Sequence, residues 1–61
     1  MVEDDDIRRT AQGLLKCHGE KAAMECAQMA QRWEKRGDVE AANVWQRVMA
    51  AVRDLQNTQL N

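Results

Sequence analysis

The fold is decided by the longest amphipathic run in the chain, residues 38–56, which reads DVEAANVWQRVMAAVRDLQ. At about 100° per residue, its apolar side chains fall within one arc of roughly 180° on a helical wheel. The arc contains Ala41, Ala42, Val44, Trp45, Val48, Met49, Ala51, Val52 and Leu55. One neighbouring helix covers less than half a circumference, so the run predicts a helix that contacts at least two others.

Two glycines divide the rest of the chain into two further predicted helices. Gly19 is expected to end a first helix over about residues 5–18, and Gly37 a second over about residues 20–36. Both glycines are suited to positive φ, and Asp38 is suited to cap the third helix. So short a connection favours an antiparallel hairpin. We therefore predict an all-α domain of three helices, with helix 1 packed across a hairpin of helices 2 and 3.

The length of 61 residues allows one domain, close to the lower limit for an independently stable core. The absence of proline, phenylalanine and tyrosine, with abundant alanine, favours helix over sheet. Residues 1–5 are predicted to form an acidic lead-in, and residues 57–61 a frayed tail. Large apolar side chains are few, and small domains often gain burial by self-association. A homodimer is therefore the leading expectation.

The charge pattern argues against several classes of partner. The net charge is −1, but four acidic residues occupy positions 3–6, and residues 7–61 carry nine Lys/Arg against six Asp/Glu. That basic excess is too small and too dispersed to indicate nucleic-acid binding. No apolar run is long enough to span a membrane, and no secretory leader is recognisable. We expect a cytoplasmic protein with reduced cysteines and no evident small-molecule substrate.

The two tryptophans are the bulkiest side chains and are expected to anchor the core, with a protein interface as the alternative. Trp45 lies near the middle of the apolar arc, facing the alanine-rich side of helix 2. Its truncation, Trp45→Ala, is expected to be the costliest in the chain, removing roughly 3–5 kcal/mol. The predicted core or interface anchors are Trp33, Trp45, Met29, Val48, Met49, Val52 and Leu55.

Cys17, His18 and Cys26 raise the question of a metal site. A structural zinc site needs four ligands and usually a close cysteine pair, but these cysteines are nine residues apart on different helices. Buried small-residue packing is the preferred interpretation of the cysteines. His18 lacks an evident nucleophile or paired acid, so we expect it to complete a helix end rather than to catalyse. No catalytic, metal or cofactor residues are predicted.

The chain resembles a group of small uncharacterised helical proteins of alphaproteobacteria. The similarity covers about residues 11–55 and is carried by His18-Gly19, then Gly37-Asp38, then Trp45 followed by Val48, Ala51 and Leu55. Those proteins often read HG…GD…W..I..A…L. The resemblance implies a bacterial, cytoplasmic origin, and it implies no activity and no functional residues.

The leading functional hypothesis is a non-enzymatic helical module for protein–protein interaction that pairs with itself or with another protein. It rests on the small number of large apolar side chains and on the apolar arc, which covers about half of the circumference of helix 3. One alternative is a small nucleic-acid-binding regulator that uses the basic face of helix 1, formed by Arg8, Arg9 and Lys16. Another is a phage- or plasmid-type inhibitor that acts by surface contact.

Overall fold

The computed structural model describes residues 4–59, and they are almost entirely helical. Helix α1 runs from Asp4–His18, a short 3-10 turn covers Gly19–Lys21, α2 spans Ala22–Lys35 and α3 spans Val39–Gln59. None of the described residues lies in a strand. The all-α prediction is confirmed. None of these helices is long and apolar enough to cross a membrane.

The prediction of three separate helices is not confirmed, because α1 and α2 are not separated by any non-helical residue. They run on through the 3-10 turn, so the described chain consists of one long bent helical element over residues 4–35 and a second over residues 39–59. Gly19 has a φ of 56°, as predicted, and produces the bend. A left-handed residue at this point redirects the chain, while the 3-10 hydrogen bonds keep it helical.

The turn between α2 and α3 has the hydrogen bonds of a Schellman motif. The amide of Gly37, at φ 85°, donates to the carbonyl of Glu34 at 3.0 Å, and the amide of Asp38 donates to the carbonyl of Trp33 at 3.0 Å. The next helix begins at once, because the amide of Ala41 donates to Asp38 Oδ1 at 3.1 Å. The predicted helix stop and helix cap are both confirmed, and the tight turn folds α3 back along α2.

Helix α3 packs against both other helices, most extensively against α2, as its wide apolar arc predicted. The arc is also the side that the structure buries, whereas the opposite side is exposed. The core lies where the three helices meet. Its buried cluster consists of Ile7, Ala11, Ala22, Cys26, Val48 and Val52.

Both predicted chain ends need correction. Asp4 and Asp5 were assigned to an acidic lead-in, but they form the first turn of α1, where carboxylates interact favourably with the positive end of the helix dipole. Residues 57–59 were assigned to a frayed tail, but they continue α3. Within this last turn the Thr58 hydroxyl donates to the carbonyl of Asp54 at 3.0 Å. Residues 1–3 and 60–61 lie outside the described residues.

Candidate functional site

The predicted anchors fall into two groups by burial. Val48 and Val52 are fully buried at the centre of the core. The remaining anchors pack partly against other residues but stay partly exposed, and they are Trp33, Trp45, Met29, Met49 and Leu55. The molecule therefore fills its core with isoleucine, valine, alanine and cysteine, and its tryptophan, leucine and methionine side chains stay partly exposed.

On α2, burial decreases along a single stripe of apolar side chains. Ala22, Cys26, Met29 and Trp33 follow one another at intervals of three or four residues, which places them on one face of the helix. Ala22 and Cys26 are completely buried, whereas Met29 and Trp33 near the end of the helix are partly exposed. The face that forms the core thus continues towards the turn, where Ala30 is still buried and the larger Met29 and Trp33 are partly exposed.

Helix α3 alternates buried and partly exposed side chains along its apolar arc. Ala42, Val48 and Val52 are buried. Six others are partly exposed, and they are Ala41, Val44, Trp45, Met49, Ala51 and Leu55. The two helices are joined by the turn at residues 36–38, so the partly exposed side chains nearest the turn lie at the same end of the hairpin. We call Met29, Trp33, Ala41, Val44 and Trp45 the closed-end face.

An ion pair marks where α1 lies along α3. Arg47 Nη2 lies 2.6 Å from Asp4 Oδ1, which places the first described residue of α1 beside the third turn of α3. The shallow groove between the two helices is lined, on α3, by Arg47, Ala50, Ala51 and Asp54. The described part of α1 begins beside Arg47. Residues 39–46, which form about 12 Å of α3, come before this point.

Trp33 occupies an unusual environment on the closed-end face. The guanidinium carbon of Arg36 lies 5.4 Å from the centre of the Trp33 ring, a cation–π distance. The indole Nε1 is shielded from solvent and has no hydrogen-bond acceptor among the described residues. A tryptophan N–H usually has a partner when buried, so this donor departs from the usual pattern.

The charges around the closed-end face are balanced. Between residues 31 and 43 the chain carries three basic and three acidic side chains, which are Arg32, Lys35, Arg36, Glu34, Asp38 and Glu40. All six are exposed. The chain around the turn therefore carries both signs and no net charge.

The basic residues proposed for nucleic-acid contact do not form an uninterrupted positive surface. Arg8, Arg9 and Lys16 are all exposed on α1. Arg8, however, lines the groove between α1 and α3 together with the carboxylates of Asp4, Asp5 and Asp54. These carboxylates oppose a phosphate backbone at the place where Arg8 would contact it.

The two cysteines have different environments. Cys17 is exposed, contrary to the predicted buried packing, whereas Cys26 is completely buried as predicted. Burial, and secondly the nearby Glu25 carboxylate, raises the pKa of the Cys26 thiol above its ordinary value. His18, expected to complete a helix end, is the last residue of α1 and is exposed. Among residues 4–59, no group of three His, Cys, Asp or Glu side chains is arranged to hold a metal ion.

Sequence reasoning did not single out Ala41 and Val44 as members of a candidate surface. Both were assigned to the apolar arc, but the arc alone does not reveal which turns α1 covers. The informative contact is the ion pair of Asp4 with Arg47, whose partners are 43 residues apart.

Comparisons of the chain with protein-family models, with curated proteins and with solved structures found no match.

Proposed function

We propose that this chain is a non-enzymatic helical module for protein–protein interaction that works as a homodimer in the cytoplasm. It acts through helix faces rather than through a pocket. The proposal includes the arrangement predicted from sequence, in which α1 crosses an antiparallel hairpin of α2 and α3. The resemblance to small alphaproteobacterial helical proteins is compatible with it and stays a prediction.

The observation that carries the proposal is the incomplete burial of the large apolar side chains. The largest fully buried side chains are Val48, Val52 and Cys26. Both tryptophans, and every described leucine and methionine, keep part of their surface exposed. A core built from small side chains contributes little hydrophobic stabilisation, and the free energy of unfolding of a domain of this size is small. Association that covers the large side chains supplies the missing burial.

The total accessible surface supports association as well. The chain exposes 4815 Å². A globular monomer of its mass, 7.0 kDa, exposes about 4,000 Å². The chain therefore exposes about 800 Å² more than an average globular monomer of its mass.

Sedimentation equilibrium over a range of protein concentrations tests the proposal. The expected result is an average mass that rises from that of the monomer towards twice its value as concentration enters the micromolar range. A mass that stays at the monomer value up to about 100 µM, where a dimer with a micromolar Kd would be largely associated, would refute the homodimer.

A further inference from the structure

We infer that Gly19–Lys21 form a hinge through which two copies of this chain exchange α1, so that α1 of each copy packs on α3 of the other. This inference rests on the proposed homodimer and states how its two copies are joined. Opening the hinge aligns α1 with α2 of its own copy. Ile7 and Ala11 of one copy then complete the buried core of the other.

The bend between α1 and α2 depends on the backbone of one residue. Gly19 has a φ of 56°, whereas the nearby His18 and Lys21 have right-handed helical conformations. The amide of Ala22 donates to the carbonyl of Gly19, so backbone hydrogen bonds continue through the bend. Glycine adopts positive and negative φ about equally readily. Rotation of Gly19 to helical φ and ψ therefore converts the bent element over residues 4–35 into one straight helix.

No buried side chain holds this bend in place. Residues 16–21 are all exposed. His18 and Lys21 are the capping positions of the 3-10 turn and of α2, and neither makes a side-chain capping hydrogen bond. The other turn differs, because Asp38 Oδ1 caps α3 and the two hydrogen bonds of the Schellman motif close the turn. The hairpin of α2 and α3 is therefore fixed at its turn, while α1 is joined to it by a segment that can open.

Helix α1 packs on a surface that a second copy also offers. It contacts α3 more extensively than α2, the helix to which it is joined. Its buried side chains, Ile7 and Ala11, belong to the cluster that two valines of α3 complete, and Asp4 pairs with Arg47 of the same helix. Since α3 of a second copy carries the same residues, exchange keeps these contacts and requires only that the hinge opens. Short connections of this kind favour the exchange of an element between copies.

Two changes at the hinge act in opposite directions. Gly19→Ala strains the bend, because alanine rarely adopts a φ of 56°, and it favours the straight helix. A Cβ at this position meets no atom within 4 Å, so the strain is confined to the backbone. Insertion of two glycines after Gly19 disfavours the straight helix and lets α1 return to α3 of its own copy. The matched control is Gly13→Ala, the same substitution within α1, where a Cβ also meets no atom within 4 Å.

Sedimentation velocity and far-UV circular dichroism of the parent and these three variants test the inference. We expect Gly19→Ala to dimerise about 100-fold more tightly than the parent, because left-handed alanine disfavours each bent copy about tenfold and the dimer relieves two copies. We expect the glycine insertion to weaken the dimer at least about tenfold and Gly13→Ala to dimerise like the parent. All four proteins should remain helical. If one hinge variant loses its helical signal, the association of the other decides.

The outcomes that contradict the inference differ from those that contradict the proposed function. If the parent dimerises and either hinge variant is folded and dimerises as tightly as the parent, the copies are joined without exchange of α1. If Gly13→Ala tightens the dimer as much as Gly19→Ala, the effect belongs to helix propensity, and the inference is likewise overturned. In both cases the homodimer stands. A parent that is monomeric at every concentration would overturn the homodimer and the exchange together.

Discussion

Val52 provides the sharpest test of the core, because it is one of the largest side chains that are completely buried. The substitution Val52→Ala removes two methyl groups. Their lost transfer free energy is about 1.6 kcal/mol, and the cavity they leave adds about 1 kcal/mol. We therefore expect the free energy of unfolding to fall by about 2–3 kcal/mol. That is a large share of the total for a domain of this size, which is about 3–9 kcal/mol.

The matched control for this prediction is Val39→Ala, the same chemical change at the start of the same helix. Val39 is 62% exposed, so its truncation should change the free energy of unfolding by no more than about 0.5 kcal/mol. Thermal melts, followed by circular dichroism at one fixed protein concentration, measure the Tm of both variants. We expect Val52→Ala to lower the Tm by about 10–20 °C and Val39→Ala to leave it within a few degrees. Equal shifts for the two variants would contradict the packing described for α3.

Four further predictions concern backbone conformation at two glycines, thiol access and pH. Gly13→Ala should raise the free energy of unfolding by about 1 kcal/mol, because a Cβ there meets no atom within 4 Å. Gly37→Ala should lower it by about 1–2 kcal/mol, because its φ is 85°; urea titrations compare the two. An aromatic disulfide reagent should label one thiol rapidly, and labelling of Cys17→Ala should be slow until urea unfolds the chain, since Cys26 is buried. The pKa of Cys26 is raised in the folded chain, so the unfolded chain loses this proton first. Titration of Cys26 therefore leaves the free energy of unfolding unchanged below the ordinary cysteine pKa and lowers it above about pH 8.5. Above that pH, the Tm of the parent should fall more steeply than the Tm of Cys26→Ala.

The local features of the fold could be predicted because each rests on neighbouring residues. The positive φ of Gly19 and Gly37 and the cap by Asp38 follow from short-range backbone chemistry. The buried side of α3 follows from periodicity. The count of three helices failed at Gly19, because the same left-handed residue can end a helix or bend it, depending on whether 3-10 hydrogen bonds continue beyond it.

The candidate surface could be predicted only in part, because it depends on where α1 lies along α3. The sequence identified Trp33 and Trp45 as anchors but not whether a neighbour in the same chain covers them. Trp45 packs against the core and is still partly exposed, so its rank as the costliest truncation stays a prediction. The Cys17 side chain was misassigned because its burial was inferred from the general habit of free cysteine rather than from its position on the helix, and it is exposed.

Tryptophan fluorescence as a function of protein concentration tests the central claim most directly. The chain contains two tryptophans and no tyrosine or phenylalanine, and both tryptophans lie on the closed-end face. On dilution from about 100 µM to about 0.1 µM, a range that spans the dissociation of micromolar dimers, we expect the emission maximum to shift to longer wavelength as the indoles become hydrated. The far-UV circular dichroism should change little over the upper part of this range. An emission maximum that stays constant while sedimentation shows a dimer dissociating would contradict the proposal that association covers the large apolar side chains.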